Sequence, residues 1–265
     1  YYLGIYNTPV ESSTVDKEYY SQILTYLKRS GSDQTVALNS DVLVNIDLNQ
    51  VLHLHNSTRQ KITVVYKKLP KEQISDVNSV LEIDESDKVL SHELFQGGDK
   101  EAYNMSTDIF VVDTPYLIEK LEEEAAKEEP RKLRYVLRDL AVAENGFAYE
   151  YTGYLSNIHS VKAYFDANLD MLESEKFYKL FAPNQKVYTK VKNEEPTYYA
   201  ASSEVKVSQF ASGSIVRGKV EHSVVSRNVD LAEGSSVSYS VLFPRVIVGK
   251  GATVEYAIVD KGVEI

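Results

Sequence analysis

The sequence predicts an α/β domain with a Rossmann-like, mostly parallel sheet, followed by a left-handed parallel β-helix of hexapeptide repeats. Two observations lead to this prediction. Helix-like and strand-like segments alternate through residues 13–181, as they do in α/β domains. From residue 205 onward, aliphatic residues instead recur every 17 residues, a period that neither a helix nor a simple strand has. We therefore predict an α/β domain at residues 1–181, a connector at 182–204 and a β-helix at 205–265.

The N-terminal half begins with a predicted helix over residues 13–29, with Ser13 as its N-cap and Gly31 as its stop. The apolar run TVAL then predicts a buried strand. A second helix follows, for which Asp47 is a suitable N-cap, and KITVVYKKL at residues 61–69 predicts the next strand. This helix–strand–helix–strand order favours parallel strands joined by helices.

The chain continues with a charged stretch, residues 71–100, and then with the predicted strand MSTDIFVVD. Thr114 and Pro115 predict the start of a helix as N-cap and first helical residue, and Pro130 predicts the start of another. The acidic run EKLEEEAAKEE between them is expected to be a solvated helix face. GFAYEYTGYL alternates like a strand, and Ser160 is the expected N-cap of the last helix.

The C-terminal repeat is the strongest structural signal in the sequence. Three columns of aliphatic residues are each spaced by 17: Val220, Val237 and Val254; Val225, Leu242 and Val259; and Leu231, Val248 and Ile265. Within one unit the aliphatic residues recur every five or six positions. A coil of three short strands, each pointing one aliphatic side chain inward, explains this spacing, and successive coils would stack.

Composition excludes several classes of function. The chain of 265 residues is 43% hydrophobic and 26% charged, which is typical of a globular protein. It has no cysteine, so disulfides, Cys-zinc sites and a Cys nucleophile are excluded. The net charge of −10 disfavours nucleic acid as a partner, and there is no apolar run long enough to span a membrane. We expect a cytoplasmic protein.

Few motifs carry chemistry by themselves. There is no G-x-G-x-x-G and no Walker loop, so nothing in these residues is predicted to cradle a triphosphate. His53 and His55 are two residues apart on a predicted helix and point to different faces. His222 falls on the predicted β-helix, where it is either a corner residue or the general base of a hexapeptide acyltransferase. Asp41, after the strand TVAL, is either a turn residue or a metal ligand.

Four longer segments of the sequence resemble parts of a known enzyme family. LTYLKRSGSDQTVALNSDVLVNIDLNQVLHLH is similar to the segment around the metal-holding Asp of the bacterial glucose-1-phosphate adenylyltransferase family. STDIFVVDTPYLIEKL resembles its sugar-side strand and helix, and GYLSNIHSVKAYFDANLDML resembles its G-Y-W-x-D-V-G-T motif. QFASGSIVRGKVEHSVVSRNV is similar to the start of its β-helix domain. The resemblance implies a nucleotidyltransferase-like α/β domain before the β-helix.

The resemblance also implies a site, and the sequence departs from it. In the family two aspartates hold Mg²⁺ while the sugar phosphate attacks the α-phosphate of ATP. Asp41 matches the first position, but the second is Asn157, which carries no charge, and Leu155 replaces the Trp of G-Y-W. The family's sugar-phosphate motif, Glu-Lys-Pro, has no counterpart in this sequence, and neither has its G-T-A-D-A turn. Ser106 remains a candidate sugar contact.

Departures at these positions lead us to expect a regulatory-type subunit with weak or absent Mg²⁺ binding. Its expected partner is a catalytic subunit in a hetero-oligomer, most simply a tetramer. Two alternatives remain: a working nucleotidyltransferase whose phosphate loop is outside this chain, and a hexapeptide acyltransferase that binds coenzyme A and needs His222. The chain begins at Tyr1 without Met and stops at Ile265 within its repeat, so we expect residues missing at both ends.

Overall fold

A computed structural model describes residues 13–182, 185–190 and 192–265. The chain forms two compact units, which are described separately. The first comprises the sequence up to Val42 together with Ile46–Thr152, and the second comprises Leu43–Asn45 and Gly153–Ile265. The predicted domain bounds, residues 1–181, 182–204 and 205–265, stay a prediction. None of the helices in the described ranges is long and apolar enough to cross a membrane.

The helices and the first eight strands are numbered in chain order. The helices are α1 Lys17–Ser30, α2 Leu48–Thr58, α3 Thr114–Ala125, α4 Leu133–Ala143, α5 Val161–Asp170 and α6 Ser174–Leu180. The strands are β1 Gln34–Ala37, β2 Val42–Val44, β3 Ile62–Pro70, β4 Ser79–Ile83, β5 Val89–Leu94, β6 Ala102–Asp113, β7 Phe147–Glu150 and β8 Leu155–Asn157. A two-stranded sheet of the second unit includes Leu43, Val44 and β8.

The sheet of the first unit is mixed, which corrects the prediction of mostly parallel pairing. Its strand order is β5-β4-β6-β3-β7, with β1 also paired to β6. Among these pairs only β3 with β7 is parallel. The reason lies in the charged stretch 71–100, which forms β4 and β5 instead of a crossover helix. A chain that returns without a crossover helix can pair antiparallel, and β6 does so with β3.

Several predicted helix ends are confirmed and three are wrong. Thr114 is the first residue of α3 and not its N-cap, which is Asp113. Gly31 ends α1 in the left-handed region, and the Asp47 and Ser160 side chains cap α2 and α5. Ser13 does not cap α1, since the Asp16 carboxylate accepts the Tyr19 N–H at 3.0 Å instead. Pro130 does not open α4, which begins at Leu133.

The errors at Ser13 and Pro130 have one cause. The carbonyl of Ser13 accepts the Lys132 N–H at 2.8 Å, and the carbonyl of Pro130 accepts the Val15 N–H at 2.8 Å. These backbone groups therefore form a short antiparallel bridge around Thr14 and Arg131. Residues that pair in this way cannot also begin a helix, so α1 and α4 start later than their local sequence predicts.

The second unit contains the predicted parallel β-helix. Its strands are β9 Tyr198–Tyr199, β10 Glu204–Lys206, β11 Gln209–Phe210, β12 Ile215–Val216, β13 Lys219–Glu221, β14 Val224–Val225, β15 Asp230–Leu231, β16 Ser236–Ser238, β17 Val241–Leu242, β18 Ile247–Val248, β19 Thr253–Glu255 and β20 Ile258–Val259. They form three parallel sheets, β10-β13-β16-β19, β11-β14-β17-β20 and β9-β12-β15-β18. The fold class, an α/β domain followed by a hexapeptide β-helix, is confirmed.

The predicted columns are confirmed in register. Val220 pairs with Val237, and Val237 pairs with Val254; all three are at most 5% exposed. The column also extends to Val205, which pairs with Val220 although only 15 residues separate them. The spacing from Val205 to Val220 is thus shorter than the spacings that follow in the column, and the 17-residue period alone could not include Val205. The predicted connector also contributes β9, which pairs with β12.

One corner of the β-helix is stabilised by a row of serines. Ser208, Ser223 and Ser240 each donate a hydroxyl to the carbonyl two residues earlier. The Ser223 and Ser240 hydroxyls also accept backbone N–H groups from the next coil, those of Ser240 at 3.1 Å and Ala257 at 3.2 Å. The buried hydroxyls of Ser223 and Ser240 therefore have partners both within a coil and between coils.

Candidate functional site

The Asp41 carboxylate lies in the loop after β1, and its local contacts are those of a turn. The Asn39 side-chain amide donates to Asp41 Oδ2 at 2.8 Å, and Asn39 Oδ1 accepts the Ser40 N–H at 2.9 Å. The Asp41 side chain is 39% exposed. Asn and Asp commonly stabilise turns by such hydrogen bonds. The loop thus fixes the position of the carboxylate while leaving it partly open to solvent.

A second carboxylate is placed by a bulge in β6. The register with β3 shifts so that Val65 pairs with Ile109 and Tyr66 with Ser106, which leaves Thr107 and Asp108 unpaired. The bulge is held locally, since the Ser106 hydroxyl accepts the Asp108 N–H at 3.2 Å. Bulges redirect side chains, and many are found beside functional sites. Here the bulge redirects Asp108 out of the strand alternation.

Helix α4 supplies two guanidinium groups to these carboxylates. Arg138 donates from Nε to Asp108 Oδ1 at 3.0 Å and from Nη2 to Asp108 Oδ2 at 2.6 Å. Arg134, one turn earlier on α4, donates from Nη2 to Asp108 Oδ2 at 3.1 Å and to Asp41 Oδ2 at 3.3 Å. We call these four residues, Asp41, Asp108, Arg134 and Arg138, the ion cluster. Its formal charge is zero, because two carboxylates face two guanidinium groups.

The members of the ion cluster differ in burial. Asp108 and Arg138 are 7% and 6% exposed, whereas Arg134 is 35% exposed. A buried carboxylate is tolerated when it is paired and its oxygens accept hydrogen bonds, and the bidentate contact from Arg138 meets both conditions. The inner pair therefore anchors the cluster, and the outer pair, Arg134 with Asp41, is its solvent-facing part.

His92 lies near the inner pair and is held neutral by burial. Its Nε2 is 2.9 Å from the Ser79 hydroxyl, while Nδ1 is buried without a hydrogen-bond partner among the described residues. Burial lowers the pKa of His92 to about 3, and the positive charge of Arg138 also lowers it, while the charge of Asp108 acts in the opposite direction. No feature of the sequence pointed to this histidine.

The family resemblance implies Mg²⁺ at the Asp41 position. Whether the ion fits there depends on the oxygen atoms that are free to coordinate it. Mg²⁺ prefers octahedral coordination by hard oxygens, usually with charged carboxylates. Asp41 Oδ2 already accepts hydrogen bonds from Asn39 and Arg134. Within the described ranges, no group of three or more His, Asp or Glu residues is placed to hold a metal ion. The residues around Asp41 do not fit a magnesium site.

The remaining predicted site residues lie in different settings. Ser106 is 5% exposed and its hydroxyl is engaged in the bulge, so its contacts are those of a structural residue. Asn157 is a buried residue at the end of β8 in the second unit. Their roles as sugar contact and second metal position stay predictions.

His222 occupies a corner of the β-helix. Its φ of 43° is in the left-handed region, and its ring stacks on Tyr239 with centroids 4.8 Å apart. Tyr239 in turn stacks on Tyr256 at 5.0 Å. The Glu221 carboxylate is 3.6 Å from Nδ1, beyond hydrogen-bond reach for orienting a general base. These contacts are those of a corner residue and do not support an acyltransferase base.

Sequence reasoning missed Asp108, Arg134 and Arg138. Two signals were present: Asp108 is a charged residue within an otherwise apolar strand, and the arginines are spaced by four on a helix. Either signal alone is common. Only the bulge, which no local pattern predicted, brings Asp108 to the arginines.

Known proteins resemble both the C-terminal coils and most of the chain. Residues 191–265 match the model of the GlmU-like C-terminal hexapeptide family, in agreement with the coils of the second unit. The glucose-1-phosphate adenylyltransferase of Bacillus mycoides (strain KBAB4) is 27% identical over 243 residues, which are 90% of this chain and 64% of the relative. That of Bacillus cytotoxicus is 26% identical over 249 residues, 92% of this chain and 65% of the relative.

These relatives are glucose-1-phosphate adenylyltransferases, and the chain is similar to them over 90–92% of its length. The chain spans 64–65% of the length of these relatives.

Proposed function

We propose that this chain is a regulatory-type subunit of glucose-1-phosphate adenylyltransferase. It would support ADP-glucose synthesis from ATP and glucose 1-phosphate, for glycogen formation, in a hetero-oligomer with a catalytic subunit. The observation that carries the proposal is the contact between Asp41 and Arg134, 3.3 Å from Nη2 to Oδ2. The carboxylate at the family's first metal position is engaged by a side chain of the same chain.

The chemistry of the reaction explains why this contact matters. Transfer of a nucleotidyl group places negative charge on the attacking, bridging and leaving oxygens, and divalent ions neutralise it. Two carboxylates are needed to hold such an ion beside the phosphates. Here one position carries the neutral amide of Asn157, and the other carboxylate is already compensated by Arg134. The chain would therefore hold Mg-ATP weakly and contribute little turnover of its own.

A subunit that does not turn over can still change the activity of its partner. Coupling between subunits needs two conformational states that bind a ligand or an interface with different free energies. The β-helix and the α/β scaffold are retained, whereas one of the family's two metal-binding positions is Asn157 and the other, Asp41, is paired with Arg134. This combination favours a role in assembly and conformational coupling over catalysis.

One observation favours the alternative of an active enzyme. The relatives are longer than this chain, which covers 64% of the first of them, so a phosphate loop could be supplied by sequence outside it. The two proposals differ in what a longer chain containing that loop would do alone. An active enzyme would form ADP-glucose without a partner, and a regulatory subunit would not.

The test is to assay ADP-glucose formation by this chain, by a longer chain that contains the phosphate loop, by a catalytic glucose-1-phosphate adenylyltransferase, and by a mixture of this chain with the catalytic enzyme. We expect no measurable turnover by this chain, co-elution with the catalytic subunit, and a changed maximal rate or activator response in the mixture. Calorimetry should give no micromolar Mg-ATP binding to the isolated chain. Turnover by the longer chain alone, or a mixture that neither co-elutes nor changes the partner's kinetics, would contradict the proposal.

A further inference from the structure

The geometry of Arg134 distinguishes it from an ordinary surface arginine. One nitrogen, Nη2, lies 3.3 Å from Asp41 Oδ2 and 3.1 Å from Asp108 Oδ2. Two carboxylate oxygens from different elements, the loop after β1 and the bulge of β6, therefore converge on a single positive group. Convergence of two carboxylate oxygens on one point is also the arrangement that holds a cation.

The backbone of Asp108 is strained in the conformation that places its carboxylate beside Arg134. Asp108 has a φ of +52°, in the left-handed region that a residue with a side chain rarely adopts. Strain of this kind persists where surrounding contacts hold it, and it is found mainly at functional sites. Here the Ser106 hydroxyl bonds to the Asp108 N–H, and Arg138 holds both carboxylate oxygens. Asp108 is thus oriented so that Oδ2 also accepts from Arg134.

The two ion pairs of the cluster differ in how much of each is exposed to solvent. The Asp108–Arg138 pair is almost fully buried, and the Arg134–Asp41 pair is about one third exposed. If Arg134 were absent, Asp41 and Asp108 would face each other with only Arg138 to balance two negative charges. A net charge of −1 would then be left at a place that solvent ions can reach.

We propose that Arg134 is a positioning residue that serves as an internal counter-ion, closing the Asp41 position to divalent cations. The inference deepens the proposed function, on which it rests, because it gives the reason why this subunit would not use a metal. It attributes the weak or absent metal binding that we propose for the chain to Arg134 as well as to Asn157. It also predicts that loss of Arg134 creates a cation site from Asp41 and Asp108.

The test measures Mn²⁺ binding to the isolated chain by electron paramagnetic resonance of the free ion, with Mg²⁺ as competitor. We expect Arg134→Gln to gain one saturable Mn²⁺ site, at least tenfold tighter than any site of the native chain. The double variant Asp41→Asn with Arg134→Gln should lose that site. Arg134→Lys, which keeps the positive charge, should bind Mn²⁺ no better than the native chain does.

A variant that keeps Arg134 tests the proposal even if Arg134→Gln does not fold. Asp41→Asn alone should leave Mn²⁺ binding unchanged, because the native Asp41 is occupied by Arg134. A native site that Asp41→Asn removes would overturn the proposal. So would a cooperatively melting Arg134→Gln variant without a new site, or a gained site that persists in the double variant.

The outcome is separate from that of the proposed function. Mn²⁺ binding is read on the isolated chain without nucleotide or partner, whereas the regulatory role is read from the kinetics of the mixture. A negative result for Arg134 with a positive mixing experiment would leave the regulatory role in place and reject only the counter-ion.

Discussion

The β-helix and the ion cluster satisfy buried polar groups in opposite ways. In the β-helix each coil repeats the contacts of the coil before it, so that Ser223 and Ser240 play the same role 17 residues apart. In the ion cluster Asp41, Asp108 and the two arginines come from a loop, a strand bulge and a helix. Because its contacts repeat, the β-helix could be predicted from the sequence. The ion cluster is a single set of contacts between distant residues, which one substitution can break.

The largest expected effect is in the β-helix column. Val237→Asp places a carboxylate between Val220 and Val254, where the native side chain is 1% exposed. Burying an unpaired charge there should lower the free energy of unfolding by more than about 4 kcal/mol. Chemical denaturation followed by circular dichroism measures the loss. Ser236→Asp on the same strand, beside Lys219, is the matched control and should cost little; equal stability of the two variants would refute the stacked column.

The next effect concerns the inner pair of the ion cluster. Arg138→Met leaves Asp108 buried without its bidentate partner and should cost about 3 kcal/mol. Urea denaturation of the variant measures this cost. Replacing both residues, Asp108→Leu with Arg138→Met, removes the unpaired charge as well and should recover most of the loss. A double variant as unstable as the single one would show that the ion pair is not the source of the effect.

A third effect depends on pH and is smaller than the first two over one pH unit. Because burial lowers the pKa of His92 from 6.5 to about 3, the unfolded state binds one more proton than the folded state between these values. The stability contributed by neutral His92 is complete above pH 6.5 and is lost as the pH falls toward 3. The slope from this one residue is about 1.4 kcal/mol per pH unit.

Denaturation curves at several pH values check this contribution. His92→Gln should have a free energy of unfolding that falls less steeply on acidification than that of the native chain. His53→Gln, at an exposed position of α2, should leave the slope unchanged. Parallel pH profiles for the native chain and His92→Gln would show that His92 is not the group that titrates.

The smallest effect is in the serine row. Ser240→Ala removes the hydroxyl that accepts the Ala257 N–H at 3.2 Å and donates to the Ser238 carbonyl. The loss should be about 1 kcal/mol, the net value of a typical intramolecular hydrogen bond. Thermal melts compare it with Ser238→Ala, which changes an outward position of the same coil. If the two alanine variants have the same melting temperature, the serine row contributes no stability.

The fold could be predicted where a repeating or capping pattern carries the information. The columns through Val237 and Leu242 follow from period alone, and Asp47 and Ser160 cap their helices by local hydrogen bonds. The mixed sheet could not be predicted, because pairing direction depends on how residues 71–100 return the chain. No local periodicity encodes that choice.

The candidate site could be predicted only at Asp41, and there only through resemblance. Its partner Arg134 is 93 residues away in sequence, and Asp108 reaches the cluster through a bulge with a positive φ. Contacts between such distant residues depend on the tertiary structure and leave no pattern in a short window. The resemblance thus implied that Asn157 lacks the charge of a metal ligand, but it did not indicate that Asp41 is paired with Arg134.

The most direct test of the central claim is a single-site repair. Asn157→Asp restores the second carboxylate while Asp41 remains paired with Arg134. ADP-glucose formation is measured for the native chain, for the repaired chain, and for each mixed with the catalytic subunit. We predict that the repaired chain alone stays at least about a hundredfold slower than the catalytic subunit, because the groups of a catalytic site act as a unit and poor positioning alone costs that much. A repaired chain that by itself approaches the rate of the catalytic subunit would contradict the regulatory role.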